Sequence, residues 1–306
     1  MSRTFQLAQS GRPPAKPVQD VSHSQALVGA TAEARVIAAN CAFYRHIADK
    51  YDRYESCSFQ PFWQQMLEKD IDTIQSSLTE SIGKPHCLDC GGGTGNFALK
   101  ILGRGWNVTV VDVSPEMLAV LSKKARAVAG SPKLVCSPIE RFLERTPAVY
   151  DLVAFSSVLH HLHCYASVVE QAAAAVRVGG IFYSNYDPAV PPKPFWTSLW
   201  DAFDIAVAKA RFDAADFLPG VSRRLRKGFA RADPLFGRAL ASEGDLAEFH
   251  ARTGLDDREL LQLLRRKGFM IIEHTRYPAG RTRAVQSLNR MFRLLENFKI
   301  IARREA

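Results

Sequence analysis

No stretch of this 306-residue chain reaches the roughly 18 consecutive apolar residues that a membrane-spanning helix needs. Its first twenty residues hold no apolar core of the kind a secretory leader carries. They contain Arg3, Arg12 and Lys16 with no acid before Asp20, and Pro13, Pro14 and Pro17 interrupt them, so residues 1–30 are expected to form a polar tail. Cysteine is sparse: six residues with no secretion signal point to a reducing compartment, the cytoplasm, rather than to a disulfide framework. Cys87 and Cys90 have C-x-x-C spacing, but no second pair completes a zinc site. Side chains three apart in a strand face opposite ways, so both are read as core thiols. No G-K-[ST] follows the glycine-rich loop, which excludes a P-loop, and asparagine at position 96 breaks a dinucleotide fingerprint begun at Gly91. No internal repeat is present.

What the chain has in excess is positive charge, a formal +9. Arg223, Arg224, Arg226, Lys227, Arg231 and Arg238 cluster, and the last forty residues are arginine-rich. Such a bias favours an anionic partner, whether nucleic acid, lipid headgroup or acidic substrate. No nucleic-acid-binding motif accompanies it, so solvated basic faces are the plainer reading.

Periodicity organises the rest. Tyr44, Ile47, Ala48 and Tyr51 recur at helical spacing, as do Leu67, Ile71, Ile74 and Leu78 after Pro61. From Lys84 short apolar runs alternate with helices. Strands are predicted at 86–90, 107–112, 133–136, 151–155 and 180–185, and after a break at 270–277 and 298–303. A helix opens at Ser114-Pro115-Glu116. Another covers 171–178 and closes at Gly179-Gly180. A third starts at the Asp256/Glu259 capping box and ends at Gly268. The last is predicted over 282–296. Strand–helix alternation of this kind indicates a parallel sheet covered on both faces. Between 187 and 255 the alternation stops, and an apolar stripe containing Phe195, Trp196, Trp200 and Phe203 appears.

The strongest local signal is Leu88-Asp89-Cys90-Gly91-Gly92-Gly93-Thr94-Gly95-Asn96, ending a predicted strand and opening a predicted helix. Glycines there let backbone approach a ligand that a side chain would repel, and a helix start offers free N–H groups. Asp112 ends the next strand, beside that loop, where a carboxylate can accept both hydroxyls of a ribose.

These residues resemble motif I of the class I S-adenosylmethionine-dependent methyltransferases, D-x-G-x-G-x-G, with Asp89, Gly91, Gly93 and Gly95 matching it. Asp112, with Val113 after it, resembles the family's ribose-binding acid. The segment Tyr150-Asp151-Leu152-Val153 and Ser156-Ser157-Val158-Leu159-His160-His161-Leu162 resembles its fourth strand and following loop. Val178-Gly179-Gly180 is similar to its P-G-G turn, with valine for proline, and the Tyr44 to Tyr51 segment to a helix that folds over the donor. About 200 residues are covered. The resemblance implies a Rossmann-like, doubly wound, mostly parallel seven-stranded sheet, formed by 81–186 and 256–306. An N-terminal helical cap over 31–80 and a helical insertion after strand 5, 187–255, acting as a substrate lid, would complete it. It implies S-adenosylmethionine as methyl donor, S-adenosylhomocysteine as product and a small-molecule acceptor, apolar, aromatic or anionic. An RNA acceptor and a non-catalytic donor-binding scaffold are the alternatives.

In that reading Asp89 faces the donor's ammonium and sulfonium, and Ser156 and Tyr51 line the donor site. One departure stands out: many members end the third strand in an aspartate that accepts from the adenine amino group, whereas here Ser137 stands there. Serine reaches less far, so adenine would rely on backbone near Ile139. His161 would lie near the methyl and the acceptor, orienting it or taking its proton, since imidazole titrates near neutrality; packing within the loop is the bland reading. His160, Trp196, Trp200 and His250 are the candidate acceptor contacts. His160, His161 and His163 lack an identifiable further ligand, so no metal is expected.

Overall fold

The computed structural model describes residues 31–54, 58–79, 83–128, 130–146, 149–190, 203–204, 247, 249–250, 253–280 and 282–306. The Trp196–Trp200 stripe, the basic cluster at 223–238 and the polar tail at 1–30 lie outside them. Residues Ala32–Ala306 belong to one unit.

Among the described residues, three α-helices precede the sheet: α1 (Ala32–Ile47), the single turn α2 (Tyr51–Tyr54) and α3 (Pro61–Ser77). Pro61 opens α3, where its missing N–H costs nothing. Leu67, Ile71 and Ile74 of the predicted stripe are then buried together with Trp63, while Leu78, the fourth predicted position, lies past the helix end and is partly buried. Strands and helices alternate from there: β1 (His86–Cys90), α4 (Ala98–Gly103), β2 (Asn107–Asp112), α5 (Pro115–Ala125), β3 (Lys133–Cys136), α6 (Ile139–Arg145), β4 (Tyr150–Ser156), α7 (Tyr165–Ala175) and β5 (Val176–Pro188). After the insertion come α8 (Asp257–Arg266), β6 (Phe269–Tyr277), α9 (Arg283–Met291) and β7 (Asn297–Arg304).

The seven strands form one sheet in the order β3-β2-β1-β4-β5-β7-β6. β1 to β5 are parallel, and β7 runs antiparallel to both its neighbours. Cys87 and Cys90 point to opposite faces, as their spacing requires, and each joins a different core layer. Cys90, Phe155, Phe182 and Phe298 pack under α7 and α8. Cys87, Leu152, Tyr183 and Ile301 pack under α3, α4 and α5. The sheet is therefore buried on both sides, which is why its central strands read as continuous apolar runs.

Three boundaries differ from expectation. The helix predicted over 171–178 spans Tyr165–Ala175, and Val176 already pairs with Tyr150 on β4. Val176 is β-branched and fully buried, so sheet pairing overrides the helical spacing. The helix predicted to Glu296 stops at Met291, and Arg293 turns at a φ of 55°. The expected capping box at α8 is half formed: Asp256 accepts from the amides of Arg258 and Glu259, while its own amide donates to the Tyr165 hydroxyl. Ser114 and Thr282 cap α5 and α9 through their side chains.

Residues 189 and 255 bridge each other, so the chain leaves the sheet after β5 and returns at the same point. A buried polar cluster holds the β5–β7 side together. Asp70 on α3 accepts from Tyr183 and Asn185 (both 2.9 Å) and from Lys299 (2.6 Å), and Lys299 also reaches Glu273 (2.8 Å).

Candidate active site

Strand order reverses at β1: β2 and β3 lie to one side, β4 and β5 to the other. Open α/β sheets leave a crevice at the carboxyl ends of such strands. Here it is a cleft of about 1030 Å³, counting the space at its open mouth.

Asp89, on β1, forms the floor. It is 1% exposed, and neither carboxylate oxygen has a hydrogen-bond partner. Burial raises its pKa from 3.8 to about 8; the nearby Asp112 carboxylate adds to the rise, and the Ala98 amide opposes it without completing a hydrogen bond. An unpaired buried carboxylate is costly, and it is expected where a cationic ligand completes the site.

The glycine loop crosses directly above. A Cβ on Gly92 would lie 2.7 Å from Asp89 Oδ2 and 2.5 Å from Val110, and one on Gly91 would lie 2.7 Å from Val158. Gly93 takes a φ of 53° and lines the cleft. Gly95 also has positive φ, but it packs on Leu121 and does not line the cleft; its role is to let the loop turn into α4. The loop is pinned from outside: Thr94 donates to Asp52 (2.7 Å), and Gln64 donates to Asn96 (2.9 Å).

Asp112 ends β2. Oδ1 accepts from the Ser114 amide and Oδ2 from the Gly93 amide, both at 2.9 Å. Burial pushes its pKa up and these amides pull it down. A carboxylate offers about four lone-pair sites, so two remain for a ligand's hydroxyls. Val113, Ile139, Ser156 and Tyr51 also line the cleft.

His161 faces the cleft from the loop after β4. Its Nδ1 lies 2.5 Å from the Ala247 carbonyl and its Nε2 lies 3.0 Å from the Tyr44 hydroxyl. A carbonyl can only accept, so Nδ1 carries the proton and Nε2 accepts from Tyr44. Tyr44 lines the cleft too, brought there by α1, whose Asn40 also donates to the His161 carbonyl at 3.4 Å.

Three sequence-predicted residues lie elsewhere. His160 is buried beneath the cleft, donating from its backbone amide (3.2 Å) and Nδ1 (2.7 Å) to Asp187. His250 is turned to the His160 and His163 carbonyls. Ser137 donates its hydroxyl to the Pro138 carbonyl at 3.0 Å and is not a lining residue. Sequence reasoning passed over Asn40, Ser157 and Glu140, which line the cleft. Ser157 holds a φ of 63°, a strained state that clusters at functional sites and that no residue pattern announces. Asn40 had a signal: it shares a helical face with Tyr44, four residues on.

A doubly wound sheet with a glycine cradle and an acid at each of two adjacent strand ends is an arrangement that suits a nucleotide. Residues 88–182 match the model of the family described as a methyltransferase domain. The chain is 26% identical over 142 residues to the ubiquinone/menaquinone biosynthesis C-methyltransferase of Zymomonas mobilis, covering 46% of this chain and 56% of that one. It is 27% identical over 139 residues to the tRNA 5-carboxymethoxyuridine methyltransferase of Escherichia coli, covering 44% and 52%. A Burkholderia thailandensis 1,6-didemethyltoxoflavin-N1-methyltransferase structure aligns over 98% of this chain and 95% of its own, with 19% identity and a TM-score of 0.49. The chain spans about half the length of the curated relatives it matches. Over residues 88–182 it is therefore similar to methyltransferase domains.

Proposed function

We propose that this protein transfers a methyl group from S-adenosylmethionine to a small-molecule acceptor. The observation that carries the reading is Asp89: a fully buried carboxylate, unpartnered and facing a cradle that only glycine can form. A donor with an ammonium and a sulfonium matches that demand for positive charge, and a ribose matches the open positions on Asp112. When bound, the donor supplies a methyl group already activated on sulfur.

The chain's own work is then alignment, water exclusion and, for some acceptors, proton removal. Asp89 holds the cationic end and Asp112 fixes the sugar. Tyr44 and His161 stand at the cleft wall as a proton-accepting pair. An acceptor proton would pass to the Tyr44 oxygen while the tyrosine's own proton passes to His161 Nε2. The described lining carries the carboxylates Glu33, Asp89, Asp112 and Glu140 and no lysine or arginine among the described residues, which favours a neutral acceptor over an anionic one.

The relatives include a quinone-pathway enzyme and a tRNA enzyme, so the second reading is transfer to RNA. Incubation with methyl-labelled donor, once with a small-molecule extract and once with total RNA, separates the two. Label in a low-molecular-weight product supports the proposal. Label in RNA alone replaces it with the second reading. Donor binding with no labelled product from either pool makes the protein a non-catalytic scaffold.

A further inference from the structure

Two thiols far apart in the sequence meet at the edge of the cleft. Cys41 lies on α1, directly after Asn40, and Cys136 is the last residue of β3. Both Sγ atoms donate to one oxygen, the Val113 carbonyl, Cys41 at 3.4 Å and Cys136 at 3.8 Å. Val113 itself lines the cleft. Two sulfurs that share one oxygen are neighbours. A disulfide needs its sulfurs at about 2.05 Å and its Cβ atoms at about 3.8 Å. Forming one therefore turns both side chains off the carbonyl, into other staggered rotamers, and draws α1 towards β3.

α1 is the element that such a bond would fasten. It carries Val36, Ile37, Asn40 and Tyr44 to the cleft wall. Among the described residues, noncovalent ties hold it there: Tyr44 to His161 (3.0 Å), Asn40 to the His161 carbonyl (3.4 Å), and Arg45 to Glu116 (3.2 Å). The last is an exposed ion pair, which contributes little.

The two thiols differ in a way that sets the order of attack. Cys136 is exposed. Cys41 is half-buried, and burial pushes its pKa up; Asp112, Cys136 and Glu116 add to the rise, and Arg45 opposes it. The exposed thiol is the one that meets an oxidant, and the sheltered one resolves the product. Cys87 and Cys90 are wholly buried, with pKa values pushed well up by burial, and take no part.

We propose that Cys41 and Cys136 form a reversible disulfide, made by exchange with a low-molecular-weight disulfide, that fastens α1 across the cleft. Cys136, as thiolate, attacks one sulfur of the oxidant and expels the first small thiol. Cys41 gives up its proton and attacks Cys136 Sγ, expelling the second. Two protein thiols are oxidised to one disulfide, and the oxidant is reduced to two thiols that take up the two protons. The bond does not depend on what the cleft holds.

The experiment uses the full chain carrying Cys57→Ser and Cys164→Ser, so that only the pair remains beside the core thiols. It is equilibrated with oxidised glutathione, alkylated and mapped by mass spectrometry. Amide hydrogen exchange over residues 32–47 is then read before and after oxidation. A peptide pair joined through Cys41 and Cys136 should appear, and reduction should remove it. Exchange across α1 should slow by at least about tenfold and recover on reduction. Adding Cys41→Ser should stop the reaction at glutathione on Cys136, with exchange across α1 unchanged. A chain with both thiols present that stops at glutathione on Cys136, that stays reduced, or that forms the bond without slowing exchange overturns the proposal. None of these results bears on the donor reading, which the binding of S-adenosylhomocysteine decides separately.

Discussion

Asp89 makes the liganded and unliganded proteins differ in their response to pH. Its carboxyl has a pKa of about 8 in the folded chain against an ordinary value of 3.8. Between those values the folded state holds a proton that the unfolded state has released. Stability of the unliganded chain therefore falls as pH rises from about 4 towards about 8, and flattens above that. At about 1.4 kcal/mol for each pH unit crossed between the two values, the whole effect is on the order of 6 kcal/mol. A cationic ligand beside Asp89 favours the ionised form, so binding must expel the proton. Titration of S-adenosylhomocysteine at about pH 6.5, in two buffers of different ionisation enthalpy, should show release of close to one proton. Little release should remain near pH 8.5. Asp89→Asn should abolish the release and remove the decline of unliganded stability with pH. Binding heats in the wild-type chain that do not depend on the buffer would refute the placement of the ligand's positive charge on Asp89.

Other consequences follow from the same geometry. Asp112→Ala removes an ionised acceptor for two hydroxyls, and product affinity measured by calorimetry should fall by about tenfold or more. Tyr44→Phe and His161→Asn should each slow label transfer by about tenfold or more, leave product affinity nearly unchanged, and combine with no further loss, because they act as one unit; rates that multiply in the double variant would show that they act separately. Gly92→Ala forces a methyl group against Asp89 and Val110 and should cost about 1–3 kcal/mol in denaturant unfolding. Lys299→Ala leaves Asp70 buried without its cation and should cost about 3–5 kcal/mol in the same assay; an unchanged midpoint would mean that Tyr183 and Asn185 suffice to hold Asp70.

The sheet is legible in the sequence because its strands are buried on both faces and separated by helices with clear starts at Ser114 and Asp256. Asp89 and Asp112 are legible because a glycine loop and a strand-end acid at that spacing serve one chemistry. What the sequence hides is direction. His160 and His161 are adjacent, yet one points down to Asp187 and the other out to Tyr44. Ser137 and Glu140 are separated by one turn, and only the second faces the cleft. The Tyr44–His161 contact joins residues 117 positions apart, which no local pattern encodes.

A crystal structure of the chain with S-adenosylhomocysteine should place the amino group against Asp89, the ribose hydroxyls on Asp112 and the sulfur facing the Tyr44–His161 pair. A ligand seated anywhere else in the molecule, or one whose amino group leaves the Asp89 carboxylate unpartnered, contradicts the donor's placement in the cleft.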